Sequence, residues 1–119
     1  MWYKLDENNQ PIECSIREHV AWLDKNPERK AVKQISVSDI YISTVFMGLD
    51  HGWKTRIPVL WETMIFGGKH DGYLKRYTSH EDAIIGHEVA VNLVKKAKYG
   101  ILYSIWNWVS GRMPFYSKC

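Results

Sequence analysis

The chain has 119 residues and a formal net charge of +3, with 45% hydrophobic and 24% charged residues. These values are typical of one soluble globular domain with a real core, and they exclude a globally disordered chain. We expect a single domain over residues 1–119, with a core at 1–100 and an apolar, basic extension at 101–119.

The charges are distributed unevenly along the chain. A basic C-terminal segment is typical either of contact with an anionic partner or of a helix end, where cations complement the helix dipole. Both interpretations stay open. All 13 acidic residues lie at or before Glu88, whereas the cations after it are Lys95, Lys96, Lys98, Arg112 and Lys118.

Two cysteines, Cys14 and Cys119, are too few for a disulfide framework. The opening residues lack the pattern of a secretion signal, and no apolar stretch approaches the ~20 residues that span a bilayer. The sequence therefore predicts a cytoplasmic protein with free thiols and no membrane span.

The first third of the chain predicts a hairpin and a helix. Trp2–Leu5 and Pro11–Cys14 flank a polar, turn-forming cluster, and Ser15 with Glu18 forms a capping box. The helix is expected to end at Asn26, because a residue before proline disfavours the α conformation. Its buried stripe is expected to be Ile16, Val20 and Leu23.

The middle of the chain predicts strands. Residues 31–47 are rich in β-branched residues, and their alternation changes phase near Ser38, which indicates one bent strand or two short ones. Val59–Phe66 predicts a central strand, because a nearly continuous apolar run suits a strand covered on both faces. Gly67–Gly72 predicts a turn into a short strand at Tyr73–Tyr77.

Ser79 and the acidic residues after it predict the start of a second helix, and Gly100 is expected to end it. Residues 101–109 fit a further short helix. The side that would lie close against a sheet comprises Ala83, Gly86, Ala90, Leu93 and Ala97.

Together these elements predict an α+β fold. It would contain a small antiparallel sheet of about four to five strands with two helices packed on one face, and a hydrophobic C-terminal helical tail. The chain contains no internal repeat, low-complexity tract or domain linker.

Aromatic and cationic side chains recur on two adjoining predicted hairpins, and Tyr73 and Lys75 belong to this pattern. Rings stack on bases and guanidinium groups clamp phosphates, while the same residue types dominate protein interfaces. A nucleotide site, a protein interface and a simple cover of the sheet edge all stay open. The candidate binding residues are Trp53, Lys54, Arg56, Trp61, Glu62, Arg76 and Tyr77.

Glu62 is included because it shares strand parity with Leu60 and Met64 on an apolar strand. A buried carboxylate without a partner is costly, so we expect Arg76 or His51 beside it. The carboxylate is then either half of a structural ion pair or a ligand contact.

Catalytic chemistry has little support, and we assign no catalytic residue, metal site or cofactor. Cys14 adjoins a helix start, whose dipole can lower the pKa of a thiol, but no cysteine–histidine signature surrounds it. His51, Glu62 and His87 are an alternative metal set for a small metal-dependent hydrolase. His87 lies on the small-residue side of the second helix, where a hydrogen-bonded core histidine is the more ordinary interpretation.

Four segments carry distinctive motifs: STVFMGLDH at Ser43–His51, ETMIFGG at Glu62–Gly68, RY at Arg76–Tyr77 and GHE at Gly86–Glu88. In combination they resemble a family of small proteins encoded by tailed bacteriophages. The resemblance covers residues 40–94, with looser similarity before them, and the segment after Gly100 extends beyond the usual pattern.

This resemblance implies a phage accessory or counter-defence protein in the cytoplasm of a bacterial host. Small phage proteins often disarm host defence by non-covalent binding, as anti-CRISPR proteins do, and this step is an analogy. The expected partner is a host protein effector or an anionic nucleotide signal, with nucleic acid as a further possibility. A metal-dependent hydrolase and a phage structural or assembly protein are the alternatives, and the tail at 101–119 is a candidate interface for homo-oligomers.

Overall fold

In a computed structural model, the described part of the chain forms two antiparallel sheets and two α-helices. Side chains are described for residues 1–52 and 56–100, and the backbone also for 101–109. No described helix is both long and apolar enough to cross a membrane. The elements are β1 (Trp2–Leu5), β2 (Pro11–Cys14), α1 (Ile16–Lys25), β3 (Ala31–Val37), β4 (Ile40–Phe46), β5 (Trp61–Phe66), β6 (Leu74–Tyr77) and α2 (His80–Val109).

The larger sheet has the order β3-β4-β5-β6, so each strand pairs with the next one along the chain. Within the part of the chain described, β1 and β2 pair only with each other as named strands. The phase change near Ser38 is the turn between β3 and β4, where Ser38 has a φ of 59° and Val37 pairs with Ile40. Of the two open interpretations, two short strands is therefore confirmed.

The caps of both helices agree with the sequence prediction. The Ser15 hydroxyl accepts the Glu18 amide at 3.1 Å, and the Glu18 carboxylate accepts the Ser15 amide at 3.0 Å. The Ser79 hydroxyl accepts the amide of Asp82 at 3.0 Å at the start of α2. Each bond satisfies an amide that has no partner inside its helix, which fixes where the helix begins.

The buried side of α1 differs from the expected stripe. Ile16 and Val20 are 54% and 50% exposed, whereas His19 is buried at 6% exposure. The imidazole Nδ1 of His19 lies 2.8 Å from the carbonyl oxygen of Tyr3, and its ring lies 6.1 Å from that of Trp22. The prediction for Ile16 and Val20 is wrong, because a backbone carbonyl on β1 satisfies the imidazole and lets His19 face inward.

α2 packs across one face of the four-stranded sheet. Ala83 and Ala90 have no exposed surface, so the prediction of a small-residue side against the sheet is confirmed for them. Ala97, which was expected on this side, is exposed. The cluster between α2 and the strands comprises Val37, Ile40, Ile42, Ile65, Ala90, Val91 and Val94.

The antiparallel α+β prediction is confirmed, but the strands divide into two sheets and α2 alone packs broadly on the larger one. The first hairpin is held beside the segment after β4, where the Tyr3 amide donates to the Gly48 carbonyl at 2.7 Å and Trp2 bridges to Leu49. α1 packs on β1 and reaches the sheet at Phe46, against which Trp22 lies edge-on at 5.8 Å. Attachment through this loop explains why the hairpin does not extend the main sheet.

The expected end of the second helix at Gly100 is matched by a break in α2, where Gly100 has a φ of 67° and a ψ of −152°. The backbone is helical again up to Val109. Trp53 and Lys54, and the tail beyond Val109, lie outside the described residues.

Replacing Gly86 with alanine tests how closely α2 approaches the sheet. A Cβ at residue 86 would overlap the ring of Tyr77. Overpacking costs about 1–3 kcal/mol, which exceeds the gain of about 1 kcal/mol in helix propensity from glycine to alanine. Urea unfolding should therefore show a lower free energy of unfolding for Gly86→Ala and no loss for the exposed control Val89→Ala. Equal stability of Gly86→Ala and the parent chain would contradict the close approach.

Candidate functional site

A groove of about 440 Å³ runs between β6 and the first half of α2, and we call it the β6–α2 groove. β6 is an edge strand of the sheet, so α2 forms the opposite wall and the groove opens to solvent beside it. The lining residues are Val59, Tyr73, Lys75, Arg76, Tyr77, Thr78, Asp82, Ile85, Gly86 and Val89.

The α2 wall of the groove is apolar. Ile85 and Val89 are one helical turn apart and are 44% and 41% exposed. Tyr73, across from them, is half-buried against the core, and its burial raises the pKa of the phenol. The groove therefore has an apolar wall on α2 and the aromatic ring of Tyr73 across from it.

One cation, Lys75, projects on the groove side of β6, whereas the Arg76 side chain alternates to the opposite face of the sheet beside Glu62. Lys75 and Arg76 are exposed residues of β6. The Nε–H of Arg76 donates to Oε2 of Glu62 at 3.1 Å, across the β5–β6 pair. Because Glu62 lies on the sheet face that α2 does not cover, this bond holds the Arg76 guanidinium on that face and away from the groove. The expectation that Arg76 or His51 accompanies Glu62 is confirmed for Arg76.

A chain of buried hydrogen bonds lies beneath the groove. The Tyr77 hydroxyl donates to Thr63 at 3.0 Å, the Thr63 and Thr44 hydroxyls are 2.6 Å apart, and Thr44 lies 2.7 Å from Nδ1 of His87. Burial raises the pKa of Tyr77, which keeps its hydroxyl protonated as a donor. A donor order from Tyr77 through both threonines to His87 uses each hydroxyl proton once and leaves His87 neutral.

His87 is therefore a hydrogen-bonded core histidine, which confirms the more ordinary of the two interpretations. It is 2% exposed, and burial lowers its pKa. The neighbouring Glu88 carboxylate opposes this shift and the Lys33 ammonium adds to it, but the effect of burial is the largest.

The loop between β4 and β5 is tied together at its base. Oδ1 of Asp50 accepts the amides of Gly52 and Val59 at 2.8 and 2.9 Å, and these bonds lower the pKa of the carboxyl. The His51 amide donates to the Val59 carbonyl at 2.9 Å. The two ends of the loop therefore lie side by side, and Val59 continues from them into the groove lining.

Six of the seven candidate binding residues fall into three groups. Tyr77 lines the groove, whereas Arg76, although part of the lining, directs its side chain to Glu62 on the opposite face of the sheet. Arg56 is exposed in the loop before Val59, whereas Trp53 and Lys54 lie outside the described residues.

Trp61 lies in the core and has no exposed surface. Its ring packs 5.4 Å from that of Phe46, and its Nε1 has no hydrogen-bond partner among the described residues. A ligand therefore does not reach this ring in the folded chain. Apolar residues alternate onto both faces of β5, so the sequence allowed either face to be buried. In the structure the buried face carries Trp61, Thr63 and Ile65.

The alternative metal set is not brought together. His87 is enclosed under α2, Glu62 lies on the opposite face of the sheet with Arg76, and His51 is exposed in the loop. Among the described residues, no group of three or more histidine, cysteine or acidic side chains is placed to hold a metal ion.

Burial and the nearby Glu18 raise the pKa of the Cys14 thiol, which is opposite to the expected effect of the helix start.

The α2 wall of the groove was not predicted from the sequence. Ile85 and Val89 are apolar at i and i+4 and fall outside the small-residue side of α2. That spacing signals a second apolar stripe on α2, but only the position of β6 shows that it faces a groove.

No protein-family model, curated protein or solved structure matches the chain.

The burial of His87 predicts a pH dependence of stability. Its pKa in the folded chain is below the ordinary value of 6.5, so the unfolded chain binds more protons as the pH falls through that value. The free energy of unfolding should therefore decrease between pH 7.5 and pH 5.5. His80, whose pKa is also lowered by burial, contributes with the same sign.

Urea titrations at several pH values measure this slope. His87→Asn should flatten it, because asparagine does not titrate, and adding His80→Asn should flatten it further. A slope unchanged by His87→Asn would contradict the neutral, enclosed state of this imidazole.

Proposed function

We propose that this chain is a non-enzymatic binding protein that captures an anionic nucleotide in the β6–α2 groove. The observation that carries the proposal is a groove with an apolar wall on one side and an exposed cation, Lys75, on the other. A nucleotide has the same division between an apolar, flat base and a charged phosphate.

The apolar part of the groove suits a base. Small-molecule sites are mostly apolar clefts of roughly 300–1,000 Å³ with a few placed polar groups, and the groove encloses about 440 Å³. Ile85 and Val89 offer aliphatic contact, and the Tyr73 ring offers a face for stacking.

The cationic rim suits a phosphate. Lys75, which lies on the groove side of β6, provides a mobile point charge for a phosphate. Asp82, in the first turn of α2, adds a carboxylate to the lining.

Binding is favoured over chemistry by the state of the histidine that lies beneath the groove. His87 has its Nδ1 bonded to Thr44 and is almost wholly enclosed, so it is poorly placed to exchange a proton with a ligand in the groove. The groove offers recognition groups, namely a cation, a ring and aliphatic side chains.

The resemblance to tailed-phage proteins supplies the biological setting of the proposal. A phage accessory protein that sequesters an anionic nucleotide signal in the bacterial cytoplasm would disarm a host defence without chemistry. A host protein effector that recognises the same rim is the second version of this proposal, and nucleic acid is a polymeric form of the same ligand chemistry.

Isothermal titration calorimetry with ADP and adenosine tests the proposal. ADP should bind the parent chain, and adenosine should bind more weakly because it lacks the phosphates. Lys75→Ala should weaken ADP binding by about tenfold or more, since a hydrogen bond to a charged group contributes roughly 1.5–3 kcal/mol.

Lys96→Ala is the matched control, because Lys96 is exposed on α2 and does not line the groove. It should leave ADP binding unchanged. Equal loss in both variants would indicate a general effect of net charge, and no binding of ADP to the parent chain would contradict the proposal.

A further inference from the structure

The sheet face opposite α2 carries an exposed apolar patch. Tyr41, Phe66 and Leu74 are 38%, 45% and 46% exposed, and Met64 is half-buried between them. Tyr41 pairs with Phe66 and Met64 pairs with Leu74 in the strand register, so the four side chains are neighbours on one face. We call these four residues the open-face patch.

The patch lies near the point where the chain leaves α2. Towards its C-terminal end, α2 packs through Val94 against Ile40, and Nζ of Lys98 lies 3.7 Å from Oδ1 of Asp39 in the turn between β3 and β4. Tyr41 is two residues beyond Asp39 along the chain. The end of α2 and the Tyr41–Phe66 end of the patch therefore share one end of the sheet.

Gly100 ends this part of α2 in a conformation that favours glycine. Its φ of 67° and ψ of −152° lie in a region that is almost closed to other residues. The segment after it is rich in large apolar side chains, and its only charged residues are Arg112 and Lys118. Such a segment gains free energy by covering an apolar surface.

We propose that the open-face patch is the docking site for residues 101–109 of a second copy of this chain. The described side chains of the chain leave the patch exposed, and we assign its cover to a second copy. The segment starts at the correct end of the sheet, and a second copy carries the same segment and the same patch. If each copy places its segment on the patch of the other, the two copies form a dimer with twofold symmetry, and both segments and both patches are covered.

This inference is independent of the proposed nucleotide site, since the β6–α2 groove lies on the other side of the sheet. On β6, Lys75 pairs with the buried Thr63, whereas Leu74 pairs with Met64 of the patch. Self-association through the patch leaves the groove open.

Sedimentation equilibrium of the full chain tests the inference. The parent chain should have twice the chain mass of 14.0 kDa. Phe66→Lys, in the patch, and Trp106→Glu, in the segment, should each reduce the mass to that of one chain. Ile16→Lys is the matched control, because Ile16 is 54% exposed on α1 and outside the patch. It should remain a dimer.

A mixture of the two monomeric variants provides the decisive measurement. The segment of the Phe66→Lys chain and the patch of the Trp106→Glu chain are both intact, so the mixture should recover a dimer. Far-ultraviolet circular dichroism confirms that each variant is folded.

Three results would overturn the inference: a monomeric parent chain, a dimer that survives either variant, or a mixture that stays monomeric. A dimer that is sensitive to Phe66→Lys but insensitive to Trp106→Glu would show packing of one patch on another.

Discussion

The approach of α2 to the sheet at Gly86 is the constraint on which the rest of the structure depends. The Tyr77 ring occupies the space that a side chain at residue 86 would need, and its hydroxyl donates to Thr63. The bonds from Thr63 through Thr44 to His87 then tie α2 to β4 and β5. A buried polar group left without a partner costs about 1–3 kcal/mol. This chain of bonds therefore favours one position of α2 along the strands, whereas apolar contacts alone would allow several.

The position of α2 also determines the two surfaces to which we assign a role. With Ala83 and Ala90 against the sheet, the next stripe of α2 places Ile85 and Val89 beside β6. Neighbouring side chains of a strand point to opposite sides of the sheet. Along β6, Lys75 therefore faces the groove, whereas Leu74 faces the open-face patch. A ligand groove and an apolar interface can therefore occupy the same short strand without competing.

The features predicted best from the sequence are those that depend on residues close to one another along the chain. The capping box at Ser15 involves bonds within four residues and was identifiable. The change of alternation located the irregularity near Ser38, but it left one bent strand and two short strands both open. The burial of His19 was not identifiable, because it depends on a carbonyl of Tyr3 that only the tertiary fold brings near. The burial of Trp61 was not identifiable either. Apolar side chains occur on both faces of β5, so the sequence did not show which face would be buried. Ile85 and Val89 carried a readable pattern, but their role required the location of β6.

An NMR titration of the ¹⁵N-labelled chain with ADP tests the central claim most directly, because it reports where a ligand binds and whether it does. If the position of α2 creates a nucleotide groove, the largest amide shifts should fall within residues 73–78, which include β6, and within residues 82–89 of α2. Shifts confined to the loop between β4 and β5 or to the open-face patch, or no shifts at all, would contradict this account.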